Sequence, residues 1–244
     1  MTYGEAKDIV REHFGRLGFT TPMVIQALAG GRRAIEQHAN FWWMRADPKT
    51  FNITVGQNEY LIKVSTSNGL NVPLFKDIAA LYWKVSTDTQ WEIVDIGKKT
   101  KHELDLEYAT DEEGTPEQAT IDNATLAIYP PEPQVAYNMK MYYWNWTTNP
   151  QLNSSTDDIL SFFPDALIYA ANTWGYEMQL KDFQGASYWK ALLGGQPFGR
   201  GGQLATLKRE NLKRGWKDMI NLDPHTGPNK RGLRRKLDNV QIYR

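Results

Sequence analysis

The sequence predicts an α+β protein in which N-terminal and C-terminal-half helices form a helical bundle, with an inserted antiparallel β domain and an extended C-terminal arm. Three observations predict this. Apolar residues recur every three or four positions over residues 2–45 and again over 156–193, the helical period. They alternate with period two through much of residues 49–146, the strand period. A glycine-rich stretch after residue 193 then opens onto a strongly basic segment. The expected organisation is residues 1–48 and 151–195 for the helical core, 49–150 for the β domain, and 196–244 for the linker and arm.

Thr2 and Glu5 have the spacing of a capping box, and Ala6, Ile9, Val10, His13, Phe14 and Leu17 follow on one helical face until Gly18. Thr20-Thr21-Pro22, a hydroxyl cap with proline in the first turn, starts a second helix, whose face runs through Val24, Leu28, Gly31, Ile35, Ala39 and Trp42 and stops near Asp47-Pro48. Phe51, Ile53 and Val55, then Gly56-Gln57-Asn58, then Tyr60, Ile62 and Val64 read as a hairpin. Further strands are expected at 80–85, 91–96 and 125–129, and at 135–143, where Val135, Tyr137, Met139, Met141 and Tyr143 alternate with Ala136, Asn138, Lys140, Tyr142 and Trp144. Between them, Glu103 to Asp122 holds eight acidic residues and no Lys or Arg, and reads as a mobile loop. Thr156-Asp157-Asp158 caps a short turn, and Pro164-Asp165 opens a long helix carrying Leu167, Ile168, Ala171, Trp174, Met178 and Phe183, with Tyr188, Trp189, Leu192 and Leu193 beyond. The helical core is expected to end at the Gly194–Gly202 linker, with one more helix possible over 203–222.

With 244 residues, 41% of them apolar and 23% charged, the chain can bury a sizeable core. There is no cysteine, so disulfide, thiolate-metal and cysteine-nucleophile chemistry are excluded, which fits a reducing compartment. The first residues lack a basic segment followed by an apolar run, and no stretch approaches the length of a membrane span. A soluble protein made in the cytoplasm, without membrane contact, is the expectation.

Catalytic signatures are missing. His13, His38, His102 and His225 are dispersed, without zinc spacing. The adjacent carboxylates Asp111-Glu112-Glu113 and Asp157-Asp158 read as solvated or capping groups. The glycines near residue 200 lack the Gly-Lys-Ser/Thr of a phosphate loop, and there is no Gly-x-Ser-x-Gly. No catalytic residue, cofactor or metal is therefore assigned, and the chain is expected not to be an enzyme.

Charge is unevenly placed. From Arg200 to Arg244 there are 12 Lys/Arg against 4 Asp/Glu, which leaves −8 on residues 1–199 of a chain with zero net charge. Lys230, Arg231, Arg234, Arg235 and Lys236 crowd seven residues, accompanied by Leu233, Leu237, Val240, Ile242 and Tyr243. Charges with apolar anchors suit a protein groove, whereas phosphate binding needs only the charges. Nine Trp and twelve Tyr include Trp42-Trp43 and Tyr142-Tyr143-Trp144. On a helix, adjacent rings face about 100° apart, so one meets its own core and the other, Trp43, is a candidate for a subunit interface together with Asp111, Glu112 and Glu113. Two other classes stay open. A carbohydrate-binding tail module would use the Trp-rich strands, and a single-stranded nucleic-acid binder would use the basic arm with Trp216 and Tyr243.

Four segments in order, Phe41-Trp42-Trp43-Met44-Arg45, Phe51-x-Ile53-x-Val55, Leu126-Ala127-Ile128-Tyr129-Pro130-Pro131-Glu132-Pro133 and Phe163-Pro164-Asp165-Ala166-Leu167-Ile168, resemble head-to-tail adaptor proteins of tailed bacteriophages over residues 1 to about 195. The resemblance implies helices from both ends packed together, an inserted β region, and a C-terminal extension reaching the portal protein. It further implies a structural virion protein at the head-to-tail interface, assembled in the host cytoplasm. Such a protein forms a dodecameric homo-oligomeric ring between the portal and a tail or nozzle protein, around a channel through which genomic DNA passes. On this reading Lys230, Arg231, Leu233, Arg234, Arg235, Lys236, Leu237, Ile242 and Tyr243 of the arm bind the portal.

Overall fold

The computed structural model describes residues 1–15, 19–53, 55–66, 69–109, 112–194 and 202–221. In chain order these form α1 (Tyr3–Phe14), α2 (Thr21–Gln37), a 3-10 turn (Trp42–Met44), β1 (Lys49–Ile53), β2 (Glu59–Leu61), β3 (Phe75–Val85), β4 (Glu92–Ile96), α3 (Lys101–Glu107), β5 (Glu113–Gly114), β6 (Gln118–Asp122), β7 (Thr125–Tyr129), β8 (Glu132–Pro133) and β9 (Tyr137–Asn145). There follow α4 (Asp158–Phe162), α5 (Pro164–Trp174), a π turn (Gly175–Leu180), α6 (Phe183–Gly194) and α7 (Gln203–Asn221). The class is α+β.

The helices at the two ends of the chain share one core, although α2 and α5 lie far apart in sequence. Each has an apolar face too wide for its sequence neighbours to cover. Phe14, Leu28, Ile35, Leu167 and Ala171 are enclosed there, as the periodicity predicts; Trp174 is only half-buried, its ring lying over Gly30. The capping box forms, with Thr2 and Glu5 each satisfying the other's backbone N–H. That helix ends at Gly15, whose φ of 49° suits glycine, rather than at Gly18; Leu17 and Gly18 lie outside the described residues. The second helix stops at Gln37, before the predicted Ala39 and Trp42.

Two further corrections concern the later helices. The long helix predicted from Pro164 breaks: a π turn follows Trp174, and Lys181 adopts the left-handed conformation, so Met178 and Phe183 face solvent instead of the core. The helical core also continues past the glycine-rich segment, because Leu207 of α7 is completely enclosed within it.

Seven strands form one sheet in the order β1-β9-β3-β4-β6-β7-β2. A second apolar core, including Ile53, Leu81, Val94, Leu126, Ile128 and Met139, lies inside its curl. Phe51 and Tyr60, on the two outermost strands, bring their rings within 5.3 Å, so the sheet bends until its edges approach. The predicted alternation holds from Tyr137 on, with Tyr137, Met139, Met141 and Tyr143 all pointing inward, whereas Val135 lies ahead of β9 and is exposed. The predicted hairpin over 51–64 does not form. Ile53 pairs with Tyr137 and Tyr60 with Leu126, so both flanks of the Gly56 turn take distant partners.

The sheet is mixed rather than antiparallel. Asp95 and Ile96 of β4 pair parallel to Gln118 and Ala119 of β6, and β5 pairs parallel to β8. A parallel pair requires a crossover connection. The acidic stretch predicted as a mobile loop supplies it: α3, opened by a Thr100–Glu103 capping box, packs Leu104 against Ala127 and Tyr129 on the outer face of β7.

Candidate assembly surfaces and the joint between the two cores

The chain passes from sheet to helices at residues 146–157, where a buried polar network holds it. The Arg32 side chain, 3% exposed, donates to Asn149 Oδ1 at 3.1 Å, Thr147 Oγ1 at 3.2 Å and Asp157 Oδ2 at 2.6 Å. Asp157 Oδ1 in turn accepts from Leu160 N at 3.0 Å and caps α4. Thr147 donates its N–H and its hydroxyl to the Glu36 carboxylate, and Asn149 donates to Tyr3 Oη. One guanidinium thus ties α2 to the connector and to the first turn of α4. A planar, fixed fork is suited to this, since its donors point in set directions toward acceptors on three different residues, whereas a lysine ammonium is a compact point charge.

A second cationic contact closes the joint from the sheet side. Lys76 of β3 donates to the carbonyl of Glu36 in the last turn of α2 and to that of Ala39 just beyond it, satisfying an acceptor that the end of α2 leaves open. Trp146 receives the Arg33 guanidinium at 3.9 Å from its ring centre and Lys76 Nζ at 4.9 Å. A cleft of about 410 Å³ lies alongside, lined by Arg32, Trp43, Leu74, Asn145, Trp146 and Asp157, among others.

Burial pushes the Glu36 carboxyl above the usual carboxylate range, against the opposing pull of Thr147 and Arg32. Burial likewise pulls Lys76 below the usual lysine value. A carboxyl raised in the folded state binds its proton more tightly there than in the unfolded chain. Its contribution to stability is therefore complete below the ordinary carboxylate pKa and lost as pH rises through the raised folded value. The Glu36→Gln variant should gain on the wild type as pH climbs through that window and match it below. Parallel melting-temperature profiles for the two proteins would contradict this.

Outside the joint, two surfaces stand out. On the outer face of β9-β3-β4, Tyr82 and Tyr142 meet edge to face at 5.8 Å, Lys84 and Lys140 lie over Trp91 at 5.1 and 5.8 Å, and Ile93 is 60% exposed. Around α3 and β5, Glu103, Asp105, Glu107, Glu112, Glu113 and Glu117 are exposed, and Leu106 is 75% exposed among them.

Of the predicted site residues, Glu112 accepts from Ala109 N and Glu113 lies in β5, both at the surface. Trp43 is half-buried, stacked on Phe41 and facing the joint. Asp111 and the arm residues Lys230, Arg231, Leu233, Arg234, Arg235, Lys236, Leu237, Ile242 and Tyr243 lie outside the described residues. Sequence reasoning passed over Arg32 and Glu36, although with Val24 and Leu28 they step by four along one helical row that should be apolar. Among the described residues no group of three or more His, Asp or Glu is placed to hold a metal, and no helix is long and apolar enough to cross a membrane.

The chain thus folds as two packed cores locked across a buried polar joint, with charged and aromatic surfaces outside. A profile of the SU10 adaptor protein family matches residues 1–209, so the chain belongs to that family of phage head-to-tail adaptors. The match spans both cores and the joint, and ends within α7. No curated protein matches the chain.

Proposed function

We propose that this chain forms a dodecameric ring that docks on the portal and joins it to the tail or nozzle protein, leaving a central channel for the genomic DNA. The observation that carries this reading is the family match over 1–209, which takes in every element of both cores. The basic arm is the element assigned to the portal: Lys230, Arg231, Arg234, Arg235 and Lys236 address carboxylates, while Leu233, Leu237, Ile242 and Tyr243 fill apolar pockets. These arm residues lie beyond the matched region.

Deleting residues 224–244 should leave the melting temperature unchanged and weaken co-purification with the portal. Reversing Arg234 and Arg235 to Glu should do the same, since docked like charges repel. If the truncated protein holds the portal normally and loses only DNA affinity, in a manner that falls steeply with salt, the arm is a nucleic-acid element instead.

A further inference from the structure

The β unit carries opposite charge on two separate flanks. In the strand order, the open face is centred on β3, between β9 and β4, whereas α3 packs on the outer face of β7, three strands round from β3. Because the sheet curls until its edges approach, that separation places the two flanks on different sides of the unit. Register fixes the first flank as a continuous surface: Lys140 pairs with Tyr82 and Tyr82 with Ile93, so all three point outward in one row, with Tyr142 and Lys84 in the adjoining rows. The second flank is acidic, and Leu106 stands out from it at i+3 from Glu103 and beside Glu107.

We propose that the β9-β3-β4 face of one copy seats on the α3–β5 flank of the next copy. This inference rests on the ring reading above and names its contact. Each flank carries an excess of one sign beside an exposed aliphatic side chain, Lys84 and Lys140 with Ile93 on one side, Glu113 and Glu117 with Leu106 on the other, where Glu107 is already paired with Lys99. The two surfaces are complementary and not alike, and closing a ring by rotation needs such a head-to-tail contact between different patches. Aromatic rings with few charges at the centre and charges around them also match the composition of protein interfaces.

Nucleic acid is the less suitable occupant of this face. Both lysines are already drawn over Trp91, and Lys84 also donates to Asp88 O, while residues 1–199 carry a net charge of −8 that would repel phosphate. The acidic flank of an identical chain supplies the missing countercharge without that penalty.

The test uses the full-length chain with its portal, with copies per complex counted by native mass spectrometry and folding monitored by thermal melts. Lys84→Glu with Lys140→Glu should lose the complete ring, and Glu113→Lys with Glu117→Lys, which leave the Lys99–Glu107 pair intact, should lose it too. The four changes together, which exchange the signs of the two faces, should restore it; damage to the fold would not be rescued in this way. Leu106→Glu keeps the acidic sign and removes only the apolar anchor, and should also lower ring occupancy. If the wild type assembles fully and the single-face reversals still form complete rings, this contact is wrong while the ring reading stands. If the wild type never assembles on the portal, the ring reading falls and this contact falls with it. A reversed face that leaves rings intact but loses DNA retention would reassign the surface to nucleic acid and overturn the proposal.

Discussion

Arg32→Ala is expected to destabilise the protein by about 3–5 kcal/mol, the cost of leaving one partner of a buried ion pair uncompensated. At this chain length that is a fall in melting temperature of about 6–20 °C. Asp157 retains 28% side-chain exposure, so water relieves part of its loss and places the value in the lower half of the range. Three groups lose their donor at once, Asn149, Thr147 and Asp157, and all three sit on the chain where it leaves the sheet for the helices. Arg32→Lys should recover only part of the loss, because a single ammonium keeps the charge without the fork. In a double-mutant cycle, Asp157→Ala should cost less in the Arg32→Ala background than in the wild type, since the pair is then already broken. An Arg32→Ala protein that melts with the wild type would show that the network contributes specificity of packing and not stability.

The parts of this fold that are legible in the sequence are those fixed by neighbours in the chain. The Thr2–Glu5 capping box, the Asp157 cap and the alternation of Tyr137 through Tyr143 form as the sequence predicts, because each depends on residues within a turn or a strand of one another, and the helix starts at Thr20-Thr21-Pro22 without the expected hydroxyl cap. What fails depends on distance. Gly56-Gln57-Asn58 carries a good turn signal, but Ile53 has Tyr137 and Tyr60 has Leu126 as partners, and no local pattern names a strand tens of residues away. In the acidic stretch, charge composition masks a signal that is present. Thr100-x-x-Glu103 followed by Leu104 is the same capping-box pattern as Thr2-x-x-Glu5 followed by Ala6. The joint is half legible: Arg32 and Glu36 fall on the row of Val24 and Leu28, which marks them as charges on an apolar face, but no local pattern names Thr147, Asn149 and Asp157 as the distant partners that satisfy them. The open sheet face is half legible, as an aromatic-rich region without an assigned direction.

The second large effect is expected at Gly31, where α2 crosses α5. A Cβ there would lie 2.4 Å from Ala171 N and 2.6 Å from Ala171 Cα. Those are backbone atoms, which cannot swing aside as a side-chain end can, so the two helices must separate to admit even a methyl group. Alanine in place of a mid-helix glycine ordinarily gains roughly 0.5–1 kcal/mol, so the sign of the change decides whether packing outweighs propensity. Overpacking a tight core costs about 1–3 kcal/mol, and at a backbone contact the upper end applies, so Gly31→Ala should destabilise despite its better helix propensity. Gly31→Leu should cost more than the alanine variant, because the extra atoms have no cavity to enter between Leu28, Ile35, Leu167 and Ala171, all enclosed. Gly194 at the end of α6 provides the comparison: a methyl group added there would meet nothing within 4 Å, so Gly194→Ala should be neutral or slightly stabilising. Thermal melts of the three variants beside the wild type would decide the matter. Gly31→Ala equal to or above the wild type would mean that α2 and α5 tolerate a wider crossing, and that the core joining the two ends of the chain does not depend on this close approach.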